Sequence, residues 1–161
     1  MPVADRVEEL RAQVTQLADS CRTAQELMQK MVKLLHERML KYNWVGFYLL
    51  EPGAQPPVLV LDAFEGAMTP HTRIPLDQGI CGAAASSGQT VVVDDVRRDP
   101  RYLACSLETK SEIVVPIFVC GGVVGELDID SHFPAAFTPE HQELVKHCAV
   151  LVGKKLEVAG R

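Results

Sequence analysis

The stretch EIVVPIFVCGGVVGELDID, residues 112–130, decides the fold. After Glu112 its next seven residues are apolar and mostly branched or aromatic, which is strand composition. Cys120-Gly121-Gly122 supplies a tight turn, and GVVGELDID resumes an extended pattern. Within that second strand Glu126, Asp128 and Asp130 stand at i, i+2 and i+4 and share one face, while Leu127 and Ile129 point the other way. The carboxylate face reads in two ways. It is either the solvated side of an antiparallel strand, the reading that spacing alone favours, or an anionic pocket wall for an ammonium group or a cation. Hard metal ions usually draw oxygen ligands from more than one element, so no metal is assigned to this strand.

Outward from this hairpin the period-2 pattern recurs. TVVV (90–93) is a short strand. NWVGFYLL (43–50) and VLVLDAF (58–64) form a second hairpin across the turn EPGAQPP (51–57). GICGAAASSGQ (79–89) is a short helix of small residues, suited to close packing or close approach to a ligand. Between the strands, DDVRRDPRYLACSLETKS (94–111) is a polar connection of a length that is functional or mobile in most compact domains.

The ends of the chain are helical. Val7, Leu10, Val14, Leu17 and Cys21 follow a 3-4-3-4 spacing within residues 3–40, with DSCRT (19–23) as a break. A helix pair covering a sheet is the favoured reading, and a short dimerising coiled coil is the rival. Residues 138–159 close the chain as a helix with Thr138 as N-cap and Pro139 in the first helical position. The sum is one α+β domain over residues 1–161, a helical segment at 1–40 followed by a core at 43–158. A largely antiparallel sheet is flanked by N- and C-terminal helices.

A hydrophobic fraction of 47% and a charged fraction of 23% exclude a disordered chain, and a net charge of −5 excludes a broad electrostatic nucleic-acid footprint. No apolar run approaches the roughly 20 residues of a membrane helix, and the N-terminus carries no secretory pattern, so neither nucleic acid nor membrane is an expected partner. The cytoplasm is the expected location, with the five cysteines reduced at rest. Their irregular spacing fits neither a disulfide framework nor a zinc site.

Cys105, in the polar loop near Arg101 and Lys110, is the better candidate nucleophile. Glu112, at the mouth of an apolar run, becomes a proton donor near neutral pH if desolvated. Cys81 lies near a helix N-terminus, where the dipole favours a thiolate, although a small buried residue is the commoner meaning of such a position. Cys21, Cys120 and Cys148 read as structural, Trp44 as core or pocket lining, and His71 as a surface loop residue.

NWVGFYLL, RIPLDQGICGAAASSGQ, DDVRRDPRYLACS, SEIVVPI and GELDIDS, in this order, resemble the GAF-domain free methionine-(R)-sulfoxide reductases. The resemblance implies about six strands and an enclosed pocket under the long loop. It implies reduction of free methionine-(R)-sulfoxide to methionine, with Cys105 attacking the sulfoxide sulfur and passing through a sulfenic acid. Glu112 then assists proton delivery, Asp128 and Asp130 hold the ammonium group, and Trp44 with Tyr48 lines the substrate site. No cofactor is implied, only an external thiol reductant such as thioredoxin, and a homodimer is the expected assembly. The sequence departs from the family at His71, where the resolving cysteine usually stands, and at Glu126, where an apolar residue is usual. With Cys81 retained, either Cys81 or an external thiol resolves the sulfenic acid. The alternative is a non-catalytic GAF module that senses a small ligand.

Overall fold

The structure, a computed structural model, describes residues 3–103 and 107–158; Cys105 lies outside the described residues. Helices α1 (Val3–Ser20) and α2 (Ala24–Arg38) are followed by strands β1 (Trp44–Leu50), β2 (Val58–Glu65) and β3 (Arg73–Pro75). Then come α3 (Gly79–Ser87), β4 (Val91–Val93), β5 (Ser111–Val119), β6 (Gly122–Ser131) and α4 (Pro139–Val158). The six strands form one sheet in the order β3-β2-β1-β6-β5-β4, and every neighbouring pair is antiparallel. Both expected hairpins are present. The strand that the residue pattern did not reveal is β3, three residues long and closed off by a proline.

The expected helix break falls at residues 21–23, where the Thr23 hydroxyl accepts from the Glu26 N–H at 3.1 Å and caps α2. Pro139 opens α4 as expected. The β5–β6 turn has positive φ at both central residues, 51° at Cys120 and 80° at Gly121. That is the mirror-image turn whose twist matches a hairpin, and Gly121 adopts it without strain.

Two cores lie on the two faces of the sheet. On one, Val45, Phe47, Ile113, Val115, Ile117, Leu127 and Ile129 pack against α2 and α4, and α1 packs in turn on those two helices. The 3-4-3-4 stripe of α1 is consumed here: Val7, Leu10, Val14 and Cys21 are all buried within the chain, as the helix-pair reading requires. On the other face a smaller core forms under α3, from Trp44, Tyr48, Leu59, Ile74, Ile80, Cys81, Ala84, Val93 and Val114. Gly82 lets α3 lie directly against the Pro75–Leu76 backbone that leads into it, because a Cβ there would sit 2.8 Å from the Leu76 carbonyl oxygen. Among the described residues no helix is long and apolar enough to cross a membrane.

At the end of the larger core, Tyr42 Oη and His141 Nδ1 form a hydrogen bond of 2.6 Å, and His141 is only 6% exposed. Burial lowers the His141 pKa below its usual value of 6.5. The unfolded chain therefore takes up the proton first. Stability from this group is complete above the unfolded pKa and is lost as pH falls through the folded one. We expect the unfolding free energy of the wild-type protein, relative to His141→Gln, to decline below about pH 6.5 by at most about 1.4 kcal/mol per pH unit. Urea denaturation at pH 5 to 8 checks this, and parallel pH profiles for the two proteins would refute it.

Candidate active site

Strand register assembles the site. Glu112 on β5 faces Asp130 on β6, Val114 faces Asp128, and Pro116 faces Glu126. From the other side β1 sets Trp44 against Asp130, Gly46 against Asp128, and Tyr48 against Glu126. Directly paired residues share a face, so four carboxylates from two adjacent strands converge beneath α3. Glu112 is 5% exposed, Asp128 and Asp130 4% each, and Glu126 0%. The solvated-strand reading of GELDID is thus overturned. The same alternation that would face water faces a helix here, and α3 covers it.

A cleft opens onto this face, lined by Tyr48, His71, Ile80, Cys81, Leu103, Glu112 and Asp128, with Ile74 and Gly79 at its sides. Of the expected site residues, the structure therefore brings Tyr48, Cys81, Glu112 and Asp128 together. Asp130 stands one register step away, opposite Glu112. Trp44 does not line the cleft among the described residues. Its ring stacks on Phe64 at 5.8 Å and lies 6.2 Å from Tyr48, while its indole N–H donates to the Ala67 carbonyl at 3.0 Å. His71, read from sequence as a surface residue, instead lines the cleft, and its carbonyl accepts from the Tyr48 hydroxyl at 2.7 Å. Spacing could not reveal this, because His71 sits on an irregular segment whose course is fixed by Tyr48.

Electrostatics follow from burial. The Glu112 carboxyl is pushed well above the usual carboxylate range, first by desolvation and then by Asp128 and Asp130 beside it. Asp128, Asp130 and Glu126 are raised too, each chiefly by desolvation. The group can thus retain protons near neutral pH, which a carboxyl must do to act as an acid. The Cys81 thiol lies 3.5 Å from Asp128 Oδ2. Burial, and then the surrounding carboxylates, raise its pKa well above the ordinary thiol value, and Cys81 is the small buried residue that such a position most commonly means. Cys21 and Cys148 are buried as expected of structural residues, and Cys120 is exposed at the β5–β6 turn.

Glu126 is the residue whose weight sequence reasoning underestimated. Among the described residues neither of its carboxylate oxygens meets a hydrogen-bond partner. An unsatisfied buried polar group costs about 1–3 kcal/mol. Glu126→Leu, similar in size, is expected to raise the unfolding free energy by an amount in that range. Thermal and urea denaturation measure it, and a variant less stable than wild type would show that the carboxyl has a partner.

The GAF domain family model matches residues 23–156. The chain is 37% identical over 123 residues to the free methionine-R-sulfoxide reductase of Escherichia coli, covering 76% of this chain and 72% of that one. The structure of free methionine-R-sulfoxide reductase from Neisseria meningitidis in complex with its substrate superposes with a TM-score of 0.91 at 33% identity, covering 99% of this chain and 93% of that one. A type II free methionine-R-sulfoxide reductase from Thermoplasma acidophilum superposes at 0.78 with 39% identity, covering 88% and 96%. With its acid-lined cleft under α3, this chain belongs to the GAF-domain free methionine-(R)-sulfoxide reductase family.

Proposed function

We propose that the protein reduces free methionine-(R)-sulfoxide to methionine, with Cys105 as the nucleophile. The observation that carries this reading is the buried pair Glu112 and Asp128 on one cleft, with buried Asp130 paired opposite Glu112, in a chain of this family. The Cys105 thiolate attacks the sulfoxide sulfur, Glu112 protonates the sulfoxide oxygen as its bond to that sulfur breaks and it passes to the Cys105 sulfur, and methionine leaves with Cys105 as a sulfenic acid. A thiol then attacks the sulfenic sulfur and releases water. A second thiol reduces the resulting disulfide and restores Cys105. Asp128 and Asp130 hold the α-ammonium group of the substrate. Tyr48 lines the substrate site, and Trp44 supports it through Tyr48. A peptide-bonded methionine has no such ammonium, which accounts for selectivity toward the free amino acid.

The anionic setting of Cys81 makes it a poor attacking thiol, and so supports an external reductant of the thioredoxin or small-thiol class as the partner that relieves Cys105. No other cofactor enters the scheme. The reading carries with it a cytoplasmic setting and a homodimer, the latter decided by sedimentation. The activity test supplies pure methionine-(R)-sulfoxide with dithiothreitol or thioredoxin and measures methionine. Turnover of the R epimer, with little from the S epimer or from N-acetylated substrate, is expected. No methionine with either reductant, in protein whose Cys105 is titrated as free, would overturn the proposal.

A further inference from the structure

The cleft contains a donor set that sulfoxide reduction uses only in part. Cys81 Sγ and one carboxylate oxygen each from Glu112 and Asp128 lie within 4.8 Å of one another, and all three residues are buried. They come from three separate elements, α3, β5 and β6. The sulfur and Asp128 Oδ2 are 3.5 Å apart. A thiolate and a carboxylate on one tetrahedral zinc, with Zn–S about 2.3 Å and Zn–O about 2.0 Å, stand about 3.5 Å apart as well.

A second observation points to a ligand. Asp128, only 4% exposed, has its Oδ1 without a hydrogen-bond partner among the described residues. None of the four carboxylates makes an ion pair with a lysine or arginine among the described residues. Buried acids without a cationic partner commonly face a metal or a bound ligand. The sulfur selects among cations, since magnesium and calcium take oxygen shells of six or more while thiolate suits zinc and its relatives.

We propose that Cys81, Glu112 and Asp128 bind one thiophilic divalent cation of the Zn2+ class, with a water molecule in the fourth position. Binding forms a metal–sulfur bond as the Cys81 S–H proton leaves to solvent, with no change in oxidation state. Because Asp128 and Glu112 also serve the proposed reductase pocket, bound metal and the substrate ammonium exclude each other. That consequence rests on the reductase reading; metal binding does not.

The test uses the full-length protein, stripped with chelator, kept reduced and free of substrate. Calorimetric titration with zinc chloride is expected to show one equivalent bound with proton release. Cys81→Ser and Asp128→Asn are each expected to weaken binding at least about tenfold, and Asp128→Asn retains the sulfur should Cys81→Ser fold poorly. Cobalt(II) should give a near-ultraviolet thiolate charge-transfer band in wild type and in Cys105→Ser, and no such band in Cys81→Ser. Absence of stoichiometric binding, or a thiolate band that survives Cys81→Ser, would overturn the site. Since no turnover is read, this result is separate from that of the reductase assay.

Discussion

Cys105→Ser is expected to lower steady-state methionine formation by about 10³-fold or more, the scale seen when a covalent nucleophile is removed. Binding of free methionine-(R)-sulfoxide, read by calorimetry, should persist, because the groups assigned to the substrate lie on β1, β5 and β6. Cys81→Ser should behave differently. Burial, and then the neighbouring acids, raise the pKa of Cys81, so in the proposed scheme it is not the thiol that attacks the sulfoxide. A single turnover of the reduced enzyme without added thiol should therefore release methionine in Cys81→Ser as in wild type. Turnover driven by dithiothreitol should also continue. If thioredoxin-dependent turnover collapses in Cys81→Ser while the single turnover survives, Cys81 is the resolver after all. Cys105→Ser with more than one-tenth of wild-type activity would remove Cys105 from the chemistry altogether.

The sheet and terminal helices were legible in the sequence because hydrophobic period alone specifies them. Runs of branched and aromatic residues mark β1, β2, β5 and β6, while α1 repeats at helical spacing and α2 less regularly. β3 was not legible, since Arg73–Pro75 is too short to show a period and pairs only through its fit beside β2. The acid site was half legible. Alternation placed Glu126, Asp128 and Asp130 on one face, but alternation is the same whether that face meets water or a helix. The deciding element, α3, owes its position to Gly82 and a run of alanines, and small residues carry no statement about what they cover. The position of His71 was illegible for a related reason: a hydrogen bond from Tyr48, 23 residues away in sequence, fixes that segment. The Cys81–Glu112–Asp128 donor set was likewise invisible, because its members are separated by long intervals and are joined only by β5–β6 pairing and the packing of α3. By contrast, the family resemblance used short motifs distributed along the whole chain. It identified Glu112 and Asp128 as partners before register could.

Asp128→Asn should produce the second large effect. A substrate ammonium that pairs with a buried carboxylate gives up water for that contact, and removing one partner of such a pair costs about 2–5 kcal/mol. On that basis kcat/KM for free methionine-(R)-sulfoxide is expected to fall by about 30-fold or more. The fold should not pay for the change. Asp128 Oδ1 has no partner among the described residues, and the carboxyl is raised by desolvation, so replacing it with a neutral amide removes a buried acid and leaves no cation stranded. The decisive comparison is between substrates. With N-acetylmethionine sulfoxide there is no ammonium to hold, so wild type and Asp128→Asn should be similarly poor. The two losses, of carboxylate and of ammonium, should therefore be far from additive, as a double-mutant cycle requires of groups in contact. Additive losses would place the ammonium elsewhere. Asp130, one register step further and opposite both Glu112 and Trp44, is then the residue whose replacement by Asn should show the coupling instead.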